Sequence, residues 1–144
     1  MKYINTIVIS KSLEDTIEQF NIAQNNSDQN QEIKEVESIS GEIGEVNSVT
    51  KIHFKNGKRN STMTKTILEK DLPSTYRVNY DMKGVCNEIS HSFQAVDEQH
   101  TRYTTHNNFT FKGVMVFFSI FIKGSFKKQS KNYIKSFKKF AEKE

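Results

Sequence analysis

The sequence lacks several features that would assign it to other classes of protein. Its one cysteine, Cys86, excludes an intrachain disulfide and a thiolate metal cluster. Its longest nearly unbroken apolar run, residues 114–122, is far shorter than the roughly 20 residues that span a bilayer. The first ten residues alternate between apolar and polar and do not form a signal-peptide core. These absences predict a cytoplasmic protein with no transmembrane segment.

Motifs for cofactors and catalytic groups are absent as well. We find no P-loop, no dinucleotide-binding fingerprint and no nucleophile elbow. His53, His100 and His106 have no metal-ligand spacing with one another or with a carboxylate. The sequence therefore predicts no cofactor, no metal site and no catalytic residue that a motif could identify.

Positive charge is concentrated at the C-terminal end. The net charge is +4, but residues 1–112 carry 13 Lys and Arg against 15 Asp and Glu, whereas residues 113–144 carry eight Lys against two Glu. A general nucleic-acid-binding surface would draw on basic residues from more of the chain. The basicity belongs to one segment, and this pattern does not favour nucleic acid as the partner.

That C-terminal segment has the spacing of an amphipathic helix. One stripe recurs at intervals of four, three, four and three residues, namely Phe126, Ser130, Tyr133, Phe137 and Phe140. Lysines surround it. An isolated helix of this length is marginal in water, so the stripe must pack against another part of the chain. We predict a helix over residues 125–141, preceded by a helical segment over residues 114–122 and a bend near Gly124.

The upstream sequence has the pattern of an antiparallel sheet. Strand-like segments recur about every ten residues with short turns between them, and Ser12 is a good N-cap for a short helix after the first segment. The predicted strands are Tyr3–Ile9, Ile33–Ile39, Val46–Phe54, Asn60–Leu68, Tyr76–Met82, Val85–Val96 and Thr101–Phe111. The order predicts one α+β domain over residues 1–144, in which a curved antiparallel sheet wraps around a long C-terminal α-helix.

This order, with a few short motifs, resembles the START/Bet v 1-like superfamily (SRPBCC), which includes polyketide cyclase-like proteins. The motifs are Gly41-x-x-Gly44, Asp71-Leu72-Pro73, Phe111-Lys112-Gly113 and the helix from Gly124 to Glu142. The resemblance covers essentially the whole chain. It implies a helix-grip fold with an internal cavity for an apolar or amphipathic small molecule. The chain has no tryptophan, and Tyr103 stands where relatives often place a large aromatic residue.

Strand alternation indicates which side chains could line such a cavity. We predict that it lies between the sheet and the long helix and is lined by Tyr80, Ile89, His91, Phe93, Tyr103, Asn107 and Phe109, with Met63 and Phe117 or Phe121 near it. The inward set mixes aromatic with polar residues, and each unpaired polar group in a dry core would cost about 1–3 kcal/mol. The alternative is that the polar groups bond to one another or lie at open strand ends.

Three functions are compatible with this sequence. The leading hypothesis is a non-enzymatic protein that binds a lipid-like or polyketide-like small molecule in its cavity. The second is an enzyme of the cyclase or hydratase kind, with His91 or Tyr80 as the acid–base group. The third is an interaction module whose lysine-rich helix contacts an anionic membrane or RNA. A hydrogen-bonded core histidine is a commoner role for a residue like His91 than catalysis.

Overall fold

The computed structural model describes residues 1–25, 32–56, 58–113 and 115–143, without the side chains of residues 25, 32–34, 56, 59 and 116–123. Within these residues the chain forms seven strands and two helices. In chain order they are β1 Lys2–Ile9, α1 Leu13–Asn25, β2 Glu32–Ser40, β3 Val49–Asn56, β4 Arg59–Asp71, β5 Thr75–Met82, β6 Val85–Asp97, β7 His100–Phe111 and α2 Met115–Glu142.

The strands form one antiparallel sheet in the order β1-β7-β6-β5-β4-β3-β2. The chain from β2 to β7 runs across the sheet as a meander, and β1 pairs with β7 at the far edge. The helix α2 packs over β1 and β7 and contacts α1. The predicted architecture, a curved antiparallel sheet with a long C-terminal helix across it, is confirmed.

Alternating burial along β7 identifies the inward face of the sheet. Thr101, Tyr103, Thr105, Asn107 and Phe109 are buried, and the residues between them are exposed or half-buried. Side chains alternate between the two faces of a strand, so these five residues point towards the helices. The period-two assignment made from the sequence for this strand is confirmed.

The short helix α1 begins as the sequence predicts. The Ser12 hydroxyl accepts a hydrogen bond from the Asp15 backbone amide at 3.1 Å, which satisfies one of the amides that a helix leaves unpaired at its start. Thr16 and Phe20 then lie on the buried side of the helix, and Glu14 and Glu18 are exposed. The cap therefore sets the helix so that Phe20 enters the core.

The predicted helical assignment of residues 115–122 is confirmed, because α2 is one helix from Met115 to Glu142. Val114 lies outside the described residues, and a bend at Gly124 stays a prediction. Phe126 stacks on Phe109 with ring centroids 4.8 Å apart, and Phe137 is buried among core aromatics. The last turn is held to β1 because Lys138 Nζ donates to the Val8 carbonyl at 2.6 Å.

Two strand boundaries differ from the prediction by three residues, and the other shifts are of one or two residues. The third strand begins at Val49 rather than Val46. Asn47, just before it, takes a left-handed conformation with φ of 69°, and its backbone amide donates to the Ile67 carbonyl at 2.8 Å. The fourth strand continues to Asp71 instead of ending at Leu68. Both differences lie at the ends of elements, where local sequence signals are weakest.

Two glycines allow a direct test of the backbone. Gly124→Ala should stabilise the protein by roughly 0.5–1 kcal/mol, because Gly124 lies inside α2 and an added Cβ would meet no atom within 4 Å. Gly84→Ala should destabilise it, because Gly84 has φ of 78° and the added Cβ would lie 3.1 Å from the Lys112 carbonyl oxygen. Urea denaturation should give shifts of opposite sign, and two shifts of the same sign would contradict the local geometry.

Candidate functional site

One half of the space between sheet and helices is a packed aromatic core. Phe20 lies at its centre, with its ring centroid 5.0 Å from that of Phe93 and 5.6 Å from that of Phe137. Phe93 stacks on Tyr103 at 4.6 Å with the rings 5° from parallel. All four side chains are buried. We call Phe20, Phe93, Tyr103 and Phe137 the aromatic core. Because these side chains fill their half of the space, we assign them a role in stability.

His91 lies beside the aromatic core and is paired with Tyr103. Its Nδ1 is 2.6 Å from the Tyr103 hydroxyl, and both side chains are buried. Burial, with a smaller contribution from the charge of Lys65, lowers the pKa of His91 to about 3. Burial likewise raises the pKa of Tyr103 well above its ordinary value. The imidazole is therefore neutral near pH 7 and is a weak proton acceptor.

The other half of the inward face carries a group of polar residues on β1, β6 and β7. Asn5 is opposite Thr105 in the sheet, and Asn87 Nδ2 donates to Asn107 Oδ1 at 3.4 Å. Among the described residues, four of their polar atoms are buried without a hydrogen-bond partner: Asn5 Nδ2, Thr105 Oγ1, Asn107 Nδ2 and Asn87 Oδ1. We call Asn5, Thr105, Asn107 and Asn87 the polar belt.

A lysine continues this polar surface across the sheet. Tyr80 is opposite Asn87 on one side and Lys65 on the other, so Lys65 lies on the same inward face, two strands from Asn87. Its Nζ donates to Gln24 Oε1 at 3.4 Å and is 6.0 Å from the centre of the Tyr80 ring. Burial, assisted by the charge of Lys70, lowers the pKa of Lys65 to about 8.

Lys65 was not among the residues predicted from the sequence. The signal was present, because Met63 was predicted to lie near the cavity and Lys65 follows it by two residues on the same strand. A lysine side chain is normally expected to reach solvent, so a prediction from sequence places it outward even where strand alternation points inward. Only a known partner such as Gln24 would change that prediction. The partner comes from α1, so only the tertiary structure identifies it.

Two clefts open at the surface. One, of about 330 Å³, lies between β1 and α2 and is lined by Ile4, Asn5, Thr6, Ile7, Lys131, Ile134 and Lys135. The other, of about 250 Å³, is lined by residues of β1, β5, β6 and β7, including Ile4, Arg77, Glu88 and His106. Asn5 belongs both to the first cleft and to the polar belt. Asn107, another residue of the polar belt, lines the second cleft.

The residues predicted to line a cavity are divided by this arrangement. Ile89, His91, Phe93 and Tyr103 are buried in or beside the aromatic core, and Asn107 and Phe109 are buried on the polar half. Tyr80 and Met63 are half-buried, and the side chains of Phe117 and Phe121 lie outside the described residues. Neither of the two clefts is lined by Tyr80, His91 or Tyr103.

Other candidate chemistry is weak in the part of the chain that the structure describes. No three His, Cys, Asp or Glu side chains there are grouped to hold a metal ion. Cys86 Sγ donates to Asn79 Oδ1 at 2.8 Å, and partial burial together with the nearby Asp81 raises the pKa of its thiol. A raised pKa keeps the thiol protonated and unreactive. Neither helix, within the described residues, has the length and apolar content needed to cross a membrane.

Comparison with known proteins identifies the fold. No family model matches the chain, and neither does any curated protein. Among solved structures, Ara h 8.0201 matches 98% of this chain and 97% of its own with a TM-score of 0.73 at 13% identity. Norcoclaurine synthase from Thalictrum flavum, in complex with dopamine and hydroxybenzaldehyde, matches 96% and 83% with a TM-score of 0.72 at 11% identity.

A third match is the ZhuI aromatase/cyclase from Streptomyces sp. R1128, which covers 78% of this chain and 69% of its own at 12% identity with a TM-score of 0.60. Identities this low carry a fold and not a function. The chain has the Bet v 1-like helix-grip fold.

Proposed function

We propose that the protein binds an amphipathic small molecule between the sheet and α2, over the polar half of the inward face. The apolar body of the ligand contacts Met63, Tyr80 and Phe109, and its polar end bonds to the polar belt. Phe117 and Phe121 were predicted from the sequence to lie near this site, and their side chains lie outside the described residues. The aromatic core and His91 support the site from the side without contacting the ligand.

The polar belt is the observation that carries this proposal. Its four unpaired atoms lie on neighbouring strands, and the other two such atoms among the described residues, Thr16 Oγ1 and Ser48 Oγ, lie elsewhere in the chain. An unsatisfied buried polar group costs about 1–3 kcal/mol, so a cluster of them is expensive in a protein that uses the space only for packing. A site that mixes apolar walls with a few convergent polar groups is typical of small-molecule binding.

Similar structures support the same class of function. One of them is described in complex with dopamine and hydroxybenzaldehyde, and another is described as an aromatase/cyclase. Both descriptions concern small organic molecules with aromatic parts. We extend only that class to this chain, since the identities of 11% and 12% do not carry individual site residues.

Neither of the other two hypotheses has a specific observation in its favour. His91 is buried and its pKa is lowered to about 3, which makes this acid–base candidate of the cyclase hypothesis a weak proton acceptor. The other candidate, Tyr80, is half-buried with its ring 6.0 Å from Lys65 Nζ. The lysines of α2 at positions 127, 128, 131, 135 and 139 are exposed, as expected for the solvated face of an amphipathic helix. Binding in the interior is therefore the function that we adopt.

A pair of related probes tests the proposal. We expect the protein to bind both naphthalene and 2-naphthol, with 2-naphthol about 3- to 10-fold tighter because its hydroxyl bonds to the polar belt. Asn107→Leu should abolish this preference while keeping naphthalene affinity. Fluorescence titration measures both affinities, and native mass spectrometry of protein from its own cells would identify a co-purifying ligand.

Asn108→Leu is the matched control. Asn108 is the next residue on β7 and is half-buried on the opposite face of the sheet, so the same substitution there should leave the preference for 2-naphthol intact. Failure of the wild-type protein to bind either probe, with no small molecule found by mass spectrometry, would overturn the proposed function.

A further inference from the structure

Lys65 is an unusual residue for the inward face of a sheet. It is half-buried on β4, opposite Thr50 on one neighbouring strand and Tyr80 on the other. The long aliphatic part of a lysine can lie against apolar groups, but its amine normally reaches water. Here the amine contacts Gln24 of α1 and lies over the Tyr80 ring.

Among the described residues, no carboxylate forms an ion pair with Lys65. Its hydrogen-bond partner is the Gln24 amide oxygen, and Gln24 Nε2 in turn donates to the Tyr133 hydroxyl at 3.2 Å. Of the described residues around it, Lys70 on the same strand adds positive charge, and His91 is neutral near pH 7. Within the part of the chain that the structure describes, the ammonium therefore has no negatively charged partner.

This arrangement costs stability when the amine is charged. Burial lowers the pKa of Lys65 to about 8, so the folded chain disfavours the charged form that predominates in the unfolded chain at pH 7. The loss is fully present below about pH 8, decreases as the pH rises from there, and is gone above about pH 10.5. A methionine of similar length would remove this cost, and Lys65→Met should be at least as stable as the wild type.

We propose that Lys65 binds an acidic group of the ligand, so that the small molecule is an amphipathic acid; this inference rests on the proposed function. A carboxylate, sulfonate or phosphate is the group that a half-buried ammonium with no counter-ion among the described residues would recognise. The Gln24 amide holds the amine in position, and the Tyr80 ring places a π-face beside it. Loss of the lysine would leave the acidic group of the ligand unpaired, which lowers ligand affinity more than loss of a hydrogen bond between neutral groups does.

The distance to the polar belt sets the size of the ligand. Lys65 and Asn87 are separated by one strand, β5, so their backbones are about 10 Å apart at the usual strand spacing. A two-ring aromatic acid or a short acyl chain spans this distance. The ligand would then bond to Lys65 with its acidic group and reach the polar belt with its far end.

Two fluorescent probes with the same aromatic frame test the inference. 8-Anilino-1-naphthalenesulfonate carries an acidic group, and N-phenyl-1-naphthylamine lacks it. We expect the wild type to bind both probes. Lys65→Met should lose at least tenfold in affinity for 8-anilino-1-naphthalenesulfonate and keep its affinity for N-phenyl-1-naphthylamine. Lys51→Met is the matched control, because Lys51 is half-buried on the neighbouring strand but points to the outer face.

A calorimetric measurement separates an ion pair from a structural role. Binding of the sulfonate to Lys65 at pH 8 should draw a proton onto the amine, and titrations in buffers of different ionisation enthalpy would detect it. Proton uptake should be absent with N-phenyl-1-naphthylamine and absent in Lys65→Met. A merely structural lysine would not couple probe binding to proton uptake.

The outcomes distinguish the two proposals. If N-phenyl-1-naphthylamine binds but Lys65→Met binds the sulfonate as well as the wild type does, the role of Lys65 is wrong and the proposed function stands. The same conclusion follows if the wild type binds N-phenyl-1-naphthylamine but not 8-anilino-1-naphthalenesulfonate. If the wild type binds neither probe, the proposed function fails and the role of Lys65 fails with it.

Discussion

Phe20→Ala should lower the free energy of unfolding by about 3–5 kcal/mol. The Phe20 side chain is completely buried and contacts the rings of Tyr76, His91, Phe93, Tyr103 and Phe137 at centroid distances between 5.0 and 6.1 Å. These rings come from β5, β6, β7 and α2, which cannot all move inward to fill the space. The substitution therefore leaves a cavity as well as losing apolar contact.

The control for this prediction lies on the same helix. Ile22 is 39% exposed, so Ile22→Ala should change the stability by about 0.5 kcal/mol or less. Urea denaturation of the two variants at one pH provides the comparison, with the slope against urea checked for each. Equal losses at the two positions would contradict the assignment of α1 as the helix that closes the aromatic core.

The fold could be predicted from the sequence because its signals are periodic and mutually consistent. The apolar stripe from Phe126 to Phe140 must pack against another surface, and the alternating sequence of β7 predicts a strand with one apolar face that could provide it. Each pattern alone fits many folds, but their order along the chain fits few. The boundary at Val49 could not be predicted, because the conformation of Asn47 depends on a bond to Ile67 that is 20 positions away.

The candidate site was predicted less well, for a physical reason. Alternation correctly places His91, Tyr103 and Asn107 on the inward face, but it does not say whether an inward side chain is packed or lines a space. That depends on Phe20, which reaches the middle of the sheet from α1. The sequence does not distinguish Phe20 from Leu13 and Ile17, because all three lie on the same apolar stripe of α1.

Lys65 illustrates a second limit. Whether an inward lysine is a partner for a ligand depends on which groups surround it, and those groups come from separate elements of the chain. Gln24 comes from α1, Tyr80 from β5 and His91 from β6. In the proposed arrangement, the aromatic core stabilises the fold, and the polar residues beside it would contact the ligand at a cost in stability.

His91 connects the two regions and gives the protein a specific sensitivity to acid. The buried imidazole has its pKa lowered to about 3 from 6.5, because burial and the charge of Lys65 both disfavour its protonated form. The unfolded chain therefore binds a proton that the folded chain does not, over the whole range between these two values. The stability contributed by the neutral ring is fully present above about pH 6.5 and is lost as the pH falls towards 3.

Replacing His91 by glutamine should remove this part of the pH dependence. Between pH 7.5 and pH 5, the wild type should lose roughly 2 kcal/mol more stability than His91→Gln, since each pH unit is worth about 1.4 kcal/mol. Urea denaturation across this range measures both profiles, and the carboxylates common to both proteins cancel in the difference. His106→Gln, at an exposed position on β7, is the control and should follow the wild type. Parallel profiles for the wild type and His91→Gln would show that the imidazole accepts a proton in the folded protein, which would restore His91 as a candidate acid–base group and weaken the case against catalysis.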